Sequence, residues 1–333
     1  MTPFTLRQLL QSLAIGLLVW LVIAGACLAV GSTGQFGWPG NHEVFDYRSD
    51  SVLLTSLIGA ALAASGCVYQ AILRNPLADP YLLGVSSGSS LASYIWRIAA
   101  FSGALSFAGA MSQQAFAFAG ALAAVAIVFA LATRRGRLEP ITLLLVGVIV
   151  NAVCGSVYLL INQLHRGMAG SGNEMSFLVG GLQTSLPTGQ KIAATTVIGI
   201  GFFVLLFLAG RLNVATLSDE EAASLGVRIH ALRWTALIIA SLMTASAVAI
   251  SGPIGFVGLV APHMARLIVG VDQRRLLPLA TAFGAILLCF ADAAGRVIAR
   301  GSIAGQWLPV GVLTGLLGGP FFLILLWQMR RRN

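Results

Sequence analysis

Charge is what this sequence has least of. Only 9% of its 333 residues are Asp, Glu, Lys or Arg, against 57% apolar, and the mean hydropathy is +0.89. A soluble domain carries roughly a quarter charged residues, so this chain cannot clothe an ordinary wetted surface. Acids are scarcer than bases, eleven against twenty, for a net charge of +9. The basic residues fall in short clusters between apolar runs and not along one polar face, which excludes a nucleic-acid partner. The four cysteines, Cys27, Cys67, Cys154 and Cys289, each lie in an apolar run with no CxxC pair, so they read as small buried residues and not as a disulfide frame or metal site. No GxxxxGK[ST] occurs anywhere, so the chain does not hold a nucleotide through a P-loop. No nucleophile and base stand at a recognisable spacing, and His263 beside Pro262 has no converging second ligand. The sequence therefore implies no catalytic residue, no metal site and no cofactor.

What is there is a series of apolar runs near 20 residues, the length that spans a bilayer core as α-helix. Ten runs can be marked: 9–30, 51–72, 83–100, 113–132, 141–162, 191–210, 231–250, 255–269, 276–299 and 309–328. The first is too long for the core of a signal peptide and is expected to remain as a membrane helix. A β-barrel would show short alternating segments instead. The fold class expected is therefore all-α and polytopic, one transmembrane domain over 1–333. With the N-terminus inside, fourteen Arg fall on the cytoplasmic side and six Arg or Lys outside, which places both termini in the cytoplasm.

Two stretches make poor membrane helix. One is RNPLADPYLLGVSSG, residues 74–88, between the second and third runs. Pro76 and Pro80 stop helix two by removing amide donors and restricting the residues before them. Gly84, Ser86, Ser87 and Gly88 suit close helix packing after the turn. The other is ISGPIGFVGLVAPHMARL, residues 250–267, after the seventh run. Helix two runs inward and helix seven outward, so the two breaks are expected at opposite faces. Paired Gly/Pro breaks suggest a pseudo-two-fold inverted repeat with a pathway between the halves. The longest polar segment on the inner side is NVATLSDEEAASLGVRIHALRW, residues 213–234. Ser218 and Glu221 there fit a capping box, and Gly226 a helix stop. In helix nine, Asp292 is a buried-acid candidate for function, and pairing with Arg296 one turn on is the preferred reading.

These motifs resemble a known family. GAALAASGCVYQAILRNPLADPYLLGVSSGSSLAS (59–93), SGPIGFVGLVAPHMARLIVGVDQRRLLPL (251–279) and LPVGVLTGLLGGPFF (308–322) are similar to the permease subunits of bacterial importers for iron complexes and cobalamin. The resemblance extends in order over nearly the whole chain. It implies a homodimer of permeases in the inner membrane, two ATP-hydrolysing partner subunits, and a periplasmic or surface substrate-binding protein, with the surrounding lipid as the remaining partner. Carried over residue by residue, it implies a cytoplasmic gate at Asn75 and Leu77 on the dimer axis. It implies an ATPase-coupling segment at about 213–230, with Asp219, Glu220, Glu221 and Gly226. It implies docking of the binding protein by Arg48 and Arg296, although Ser49, Asp50 and Ser51 stand where the family usually has Leu-Pro-Arg, so one docking arginine is missing. Trp307 stands where the family usually has a glutamate. The implied cargo is a bulky iron complex, ferric siderophore or haem, with cobalamin as the alternative. The small residues Gly59, Ala60, Ala61, Ala63, Ala64 and Gly66 are expected to line the route. His165, Met168 and Met175 at the outer mouth form no evident haem-ligand cluster. An ion-coupled secondary transporter is the rival class, and Asp292 is its only strong mid-span acid.

Overall fold

The computed structural model describes residues 6–31, 35–97, 112–134, 137–165, 180–182, 186–217, 219–226, 228–300 and 308–332. All ten expected spans are helices. They are α1 (Leu6–Leu28), α2 (His42–Ile72), α3 (Val85–Arg97), α4 (Gln113–Ala132), α5 (Pro140–His165), α6 (Thr188–Ala215), α8 (Ile229–Ser251), α9 (Val257–Val269), α10 (Gln273–Arg300) and α11 (Val310–Arg332). A six-residue helix, α7 (Asp219–Ser224), precedes α8, and a 3-10 turn (Pro80–Leu83) precedes α3. A minimal hairpin, β1 (Thr133–Arg134) with β2 (Arg137–Leu138), joins α4 to α5. By length and composition α2, α4, α5, α6, α8 and α10 can each cross a membrane.

α2 is the hub. It starts at His42 and not at 51, because Asn41 caps it: its side-chain oxygen accepts from the Val44 amide at 2.9 Å. Nineteen of its residues are buried, running to Ile72. From Ser51 to Ile72 such a helix is buried almost throughout and must be largely surrounded by protein; α1, α6, α8, α9 and α10 all pack on it. α5 is the opposite case. Only 6% of its spanning window is buried, and Ile141, Leu145 and Ile149 are exposed, an apolar surface suited to lipid and not to water.

Glycine sets how closely these helices approach. A methyl on Gly59 would fall 2.1 Å from the Gly284 carbonyl oxygen, and one on Gly66 2.0 Å from that of Gly258. The backbones of α2 and α10, and of α2 and α9, are thus in direct contact at these points. Gly88 meets Gly120 in the same way, so the small residues after the first break do pack α3 on α4. Apart from Ala60, which is partly exposed, the small residues of α2 are accordingly a packing seam and not a route wall. Ala61, Ala63 and Ala64 are fully buried, and Gly59 and Gly66 face neighbouring helices.

The two Gly/Pro breaks do not lie at opposite faces. The Phe256 amide donates to Asp79 Oδ2 at 3.0 Å, and a methyl on Gly258 would sit 2.7 Å from the Pro80 ring. α9 turns back along α2 directly after α8, which brings the GPIGF segment onto the NPLADP turn. Cys27, Cys67 and Cys289 are buried and all four cysteines are free thiols.

Candidate gate and coupling site

The gate candidates sit on a tightly specified turn. The Leu73 amide closes the last turn of α2 on the Tyr69 carbonyl at 2.9 Å. Arg74 then takes a left-handed backbone, φ 49°, and turns the chain. Asn75 donates its amide to the Gln70 carbonyl, and its side-chain oxygen accepts from the Leu77 amide at 3.0 Å. This Asx turn is the conformation that asparagine before proline favours. It also occupies the Asn75 side-chain carbonyl, which leaves the Nδ2 group for contacts beyond the turn. Asp79 caps the 3-10 turn by accepting from the Tyr81 amide at 3.0 Å, with Pro80 following as a preset first residue. Gly84, at φ 78°, ends it.

Asp79 is the pivot between the two breaks. One carboxylate oxygen holds Tyr81 of its own turn and the other holds Phe256. Phe256 is itself left-handed at φ 69°, strained for an aromatic residue, and starts α9. Among the described residues, Arg74 and Phe256 are the two non-glycines with positive φ, and they flank the turn. Burial pushes the Asp79 carboxyl up to about 6, against the two amide bonds that hold it down. Leu77, Asp79, Tyr81 and Phe256 share a cavity of about 460 Å³ with Pro253, Leu259, Gly315 and Phe322. The cavity is lined mainly by apolar groups, with Asp79 and Tyr81 as its polar side chains.

Below the turn, Gln70 donates to the Gly258 carbonyl at 3.2 Å and accepts from Arg266 at 2.8 Å. The Tyr69 hydroxyl meets the Ser241 hydroxyl at 2.8 Å. These bonds lock α2 to α8 and α9 and fix the height of the turn against them.

The coupling candidates follow α6. Glu221 is exposed on α7, Ala222 beside it is fully buried, and Gly226 stops the segment at φ 70°. Asp219 and Glu220 lie in the first turn of α7. Ser218 lies outside the described residues, and so does the capping box it would complete. The end of α6 is fixed by Asn213, which accepts from the Gln273 amide and donates to Asp272, both at 2.7 Å.

The docking candidates are placed differently. Arg296 is 5% exposed, and its guanidinium binds Asp292, Ser51 Oγ at 3.1 Å and the Val30 carbonyl at 3.2 Å. The preferred pairing with Asp292 is thus present. Arg48 is half-buried and donates to the carbonyls of Leu28 and Gly37, at 2.9 and 2.7 Å. Both arginines grip backbone at or just after the end of α1, at Leu28, Val30 and Gly37. Trp307, Met168 and Met175 lie outside the described residues, as does the side chain of His165.

Sequence reasoning missed Asp79 and Phe256. The signal for Asp79 was present, since an acid directly before proline is a cap signature. Its bond to Phe256, 177 residues on, had no local trace.

Comparison with known proteins agrees with this architecture. A solved metal-chelate type ABC transporter in an inward-facing conformation superposes with a TM-score of 0.79 at 26% identity, covering 96% of this chain and 99% of that one. The cobalamin import system permease protein of Halobacterium salinarum is 39% identical, over 90% of this chain and 78% of its own length. The hemin transport system permease protein of Yersinia pestis is 38% identical, over 91% of this chain and 87% of its own length. The model of the FecCD transport family matches residues 12–328, and the chain belongs to that family of multi-pass membrane permeases.

Proposed function

We propose that this chain is the permease subunit of an ATP-driven importer carrying a bulky iron complex, a ferric siderophore or haem, across a bacterial inner membrane to the cytoplasm. The observation that carries the reading is its membership of the FecCD family together with 38% identity to a hemin permease. The apolar cavity beside the gate turn suits a large, weakly held cargo. A cobalamin cargo is the second reading, favoured by the 39% identity to a cobalamin permease. The secondary-transporter reading loses its support, since Asp292 is held by Arg296 and Ser51 and is not poised for ion coupling.

In this reading two copies meet across a two-fold axis, with both termini cytoplasmic. Asn75 and Leu77 of each copy form the cytoplasmic gate, a turn held together by the bond between them, with Leu77 facing the cavity. Two separate ATPase subunits hydrolyse ATP and receive the segment 213–230 through Asp219, Glu220, Glu221 and Gly226. A binding protein docks outside. Arg48 and Arg296 serve that docking by holding the α1–α2 connection in shape, since Arg48 bonds the Leu28 and Gly37 carbonyls and Arg296 the Val30 carbonyl.

The test is reconstitution in proteoliposomes with the partner ATPase and binding protein, offering a ferric siderophore, haem and cobalamin in turn. Uptake of an iron complex that requires ATP is the expected result. Uptake of cobalamin alone would replace the first reading by the second. Uptake driven by an ion gradient without the ATPase would reject both.

A further inference from the structure

A physical link joins the gate turn to the segment assigned above to the ATPase, and it runs through Arg74. Arg74 sits between the last turn of α2 and Asn75 with φ 49°. Glycine or asparagine would take that backbone more readily, and an ordinary residue is held there only under strain. What arginine adds is reach. Its Nε donates to the Ala215 carbonyl at 3.3 Å, across 141 residues of chain. Ala215 is the last residue of α6, so that carbonyl is one that the helix leaves unpaired, at the negative end of its dipole. Four residues later α7 begins. The same end of α6 is tied to the start of α10 by Asn213. The far end of the gate turn is tied to α9 by Asp79.

We propose that Arg74 is a positioning residue that transmits displacement of the segment 213–226 to the Asn75–Leu77 gate. The turn is anchored at Asp79 and pulled at Arg74, so a shift of the end of α6 rotates the residues between them. The left-handed residue at 74 is the joint, since a change in its two dihedrals swings the turn without unwinding α2. This inference rests on the gate reading above.

The test uses the full transporter with Cys27, Cys67, Cys154 and Cys289 replaced and Asn75→Cys introduced. Cross-dimer disulfide formation is compared between the nucleotide-free and the vanadate-trapped states. In the parent, the cross-linked fraction should differ between states by about fivefold or more, the usual scale of coupling between sites. Arg74→Gly keeps the backbone unstrained and removes the guanidinium. It should hydrolyse ATP as the parent does while the cross-link responds to nucleotide by less than about twofold. Arg74→Lys, which keeps a cation near the same helix end, should respond between the two. A full response in Arg74→Gly overturns the inference and leaves the gate reading intact. Absence of any cross-link in the parent overturns the gate reading and this inference with it. Loss of ATPase association in both variants also overturns it, because Arg74 would then only support the fold.

Discussion

Arg296 and Asp292 stand one turn apart on α10, both nearly sealed from solvent, and each is the reason the other can be charged there. Removing one partner leaves a buried, unpaired ion. Arg296→Ala is expected to destabilise the protein by about 3–5 kcal/mol, whereas Arg296→Met with Asp292→Leu should come close to wild type. Thermal unfolding in detergent measures both, and equal losses in the single and double variants would contradict the pairing. Asp79 is a buried acid of another kind, held by two backbone amides. Its folded value, about 6, lies above the ordinary 3.8. The folded state therefore binds the proton more tightly, and the stability from this group grows as pH falls from 6 and is lost as pH rises through 6. The melting temperature of wild type relative to Asp79→Asn should accordingly rise between about pH 7 and pH 4. A difference that stays flat across that range would show that Asp79 does not titrate there.

At the scale of elements, the ten apolar runs announced ten helices, because a bilayer demands some 20 apolar residues per helix and little else supplies them. The extension of α2 back to His42 escaped that signal, since residues 42–50 are mostly polar and start from the Asn41 cap. The depth of the breaks was illegible for a different reason. Span direction follows from the order of helices, but how far α8 and α9 run before turning depends on their packing against α2. Gly59 and Gly66 were misjudged because a small residue serves a route wall and a helix seam equally well, and only the partner across from it decides. That partner makes a sharp expectation. Gly66→Val would place atoms on the Gly258 backbone, which cannot yield, and should abolish a monodisperse peak in fluorescence size-exclusion of detergent extracts. Gly25→Ala, with nothing within 4 Å, should leave the peak unchanged or slightly more heat-stable, by up to about 1 kcal/mol. Matching profiles for the two variants would mean that α2 and α9 do not touch at Gly66.

For the whole molecule, the proposed function requires that an event at α7 be felt at the gate turn. Replacing Glu221 by Lys and Gly226 by Val together removes an exposed acid and forces a side chain into φ 70°. The assembled transporter should then lose ligand-stimulated ATP hydrolysis by about tenfold while keeping its fold. Undiminished stimulation in proteoliposomes would remove the segment from the coupling path. The central place of α2 has a further consequence, in time and not in space. Ser65 donates to Ala240, Tyr69 meets Ser241, Gln70 bonds Gly258 and Ser51 contacts Asp292. Each partner is 172 to 241 residues further along the chain. At ribosomal speeds of about 5–20 residues per second, roughly ten to fifty seconds pass between the two. Through that interval the most protein-enclosed helix of the permease waits with serine, tyrosine and glutamine groups that lipid cannot satisfy. The insertion machinery must therefore shelter the second helix until the eighth to tenth have emerged, and the permease closes around a helix that was made among the first.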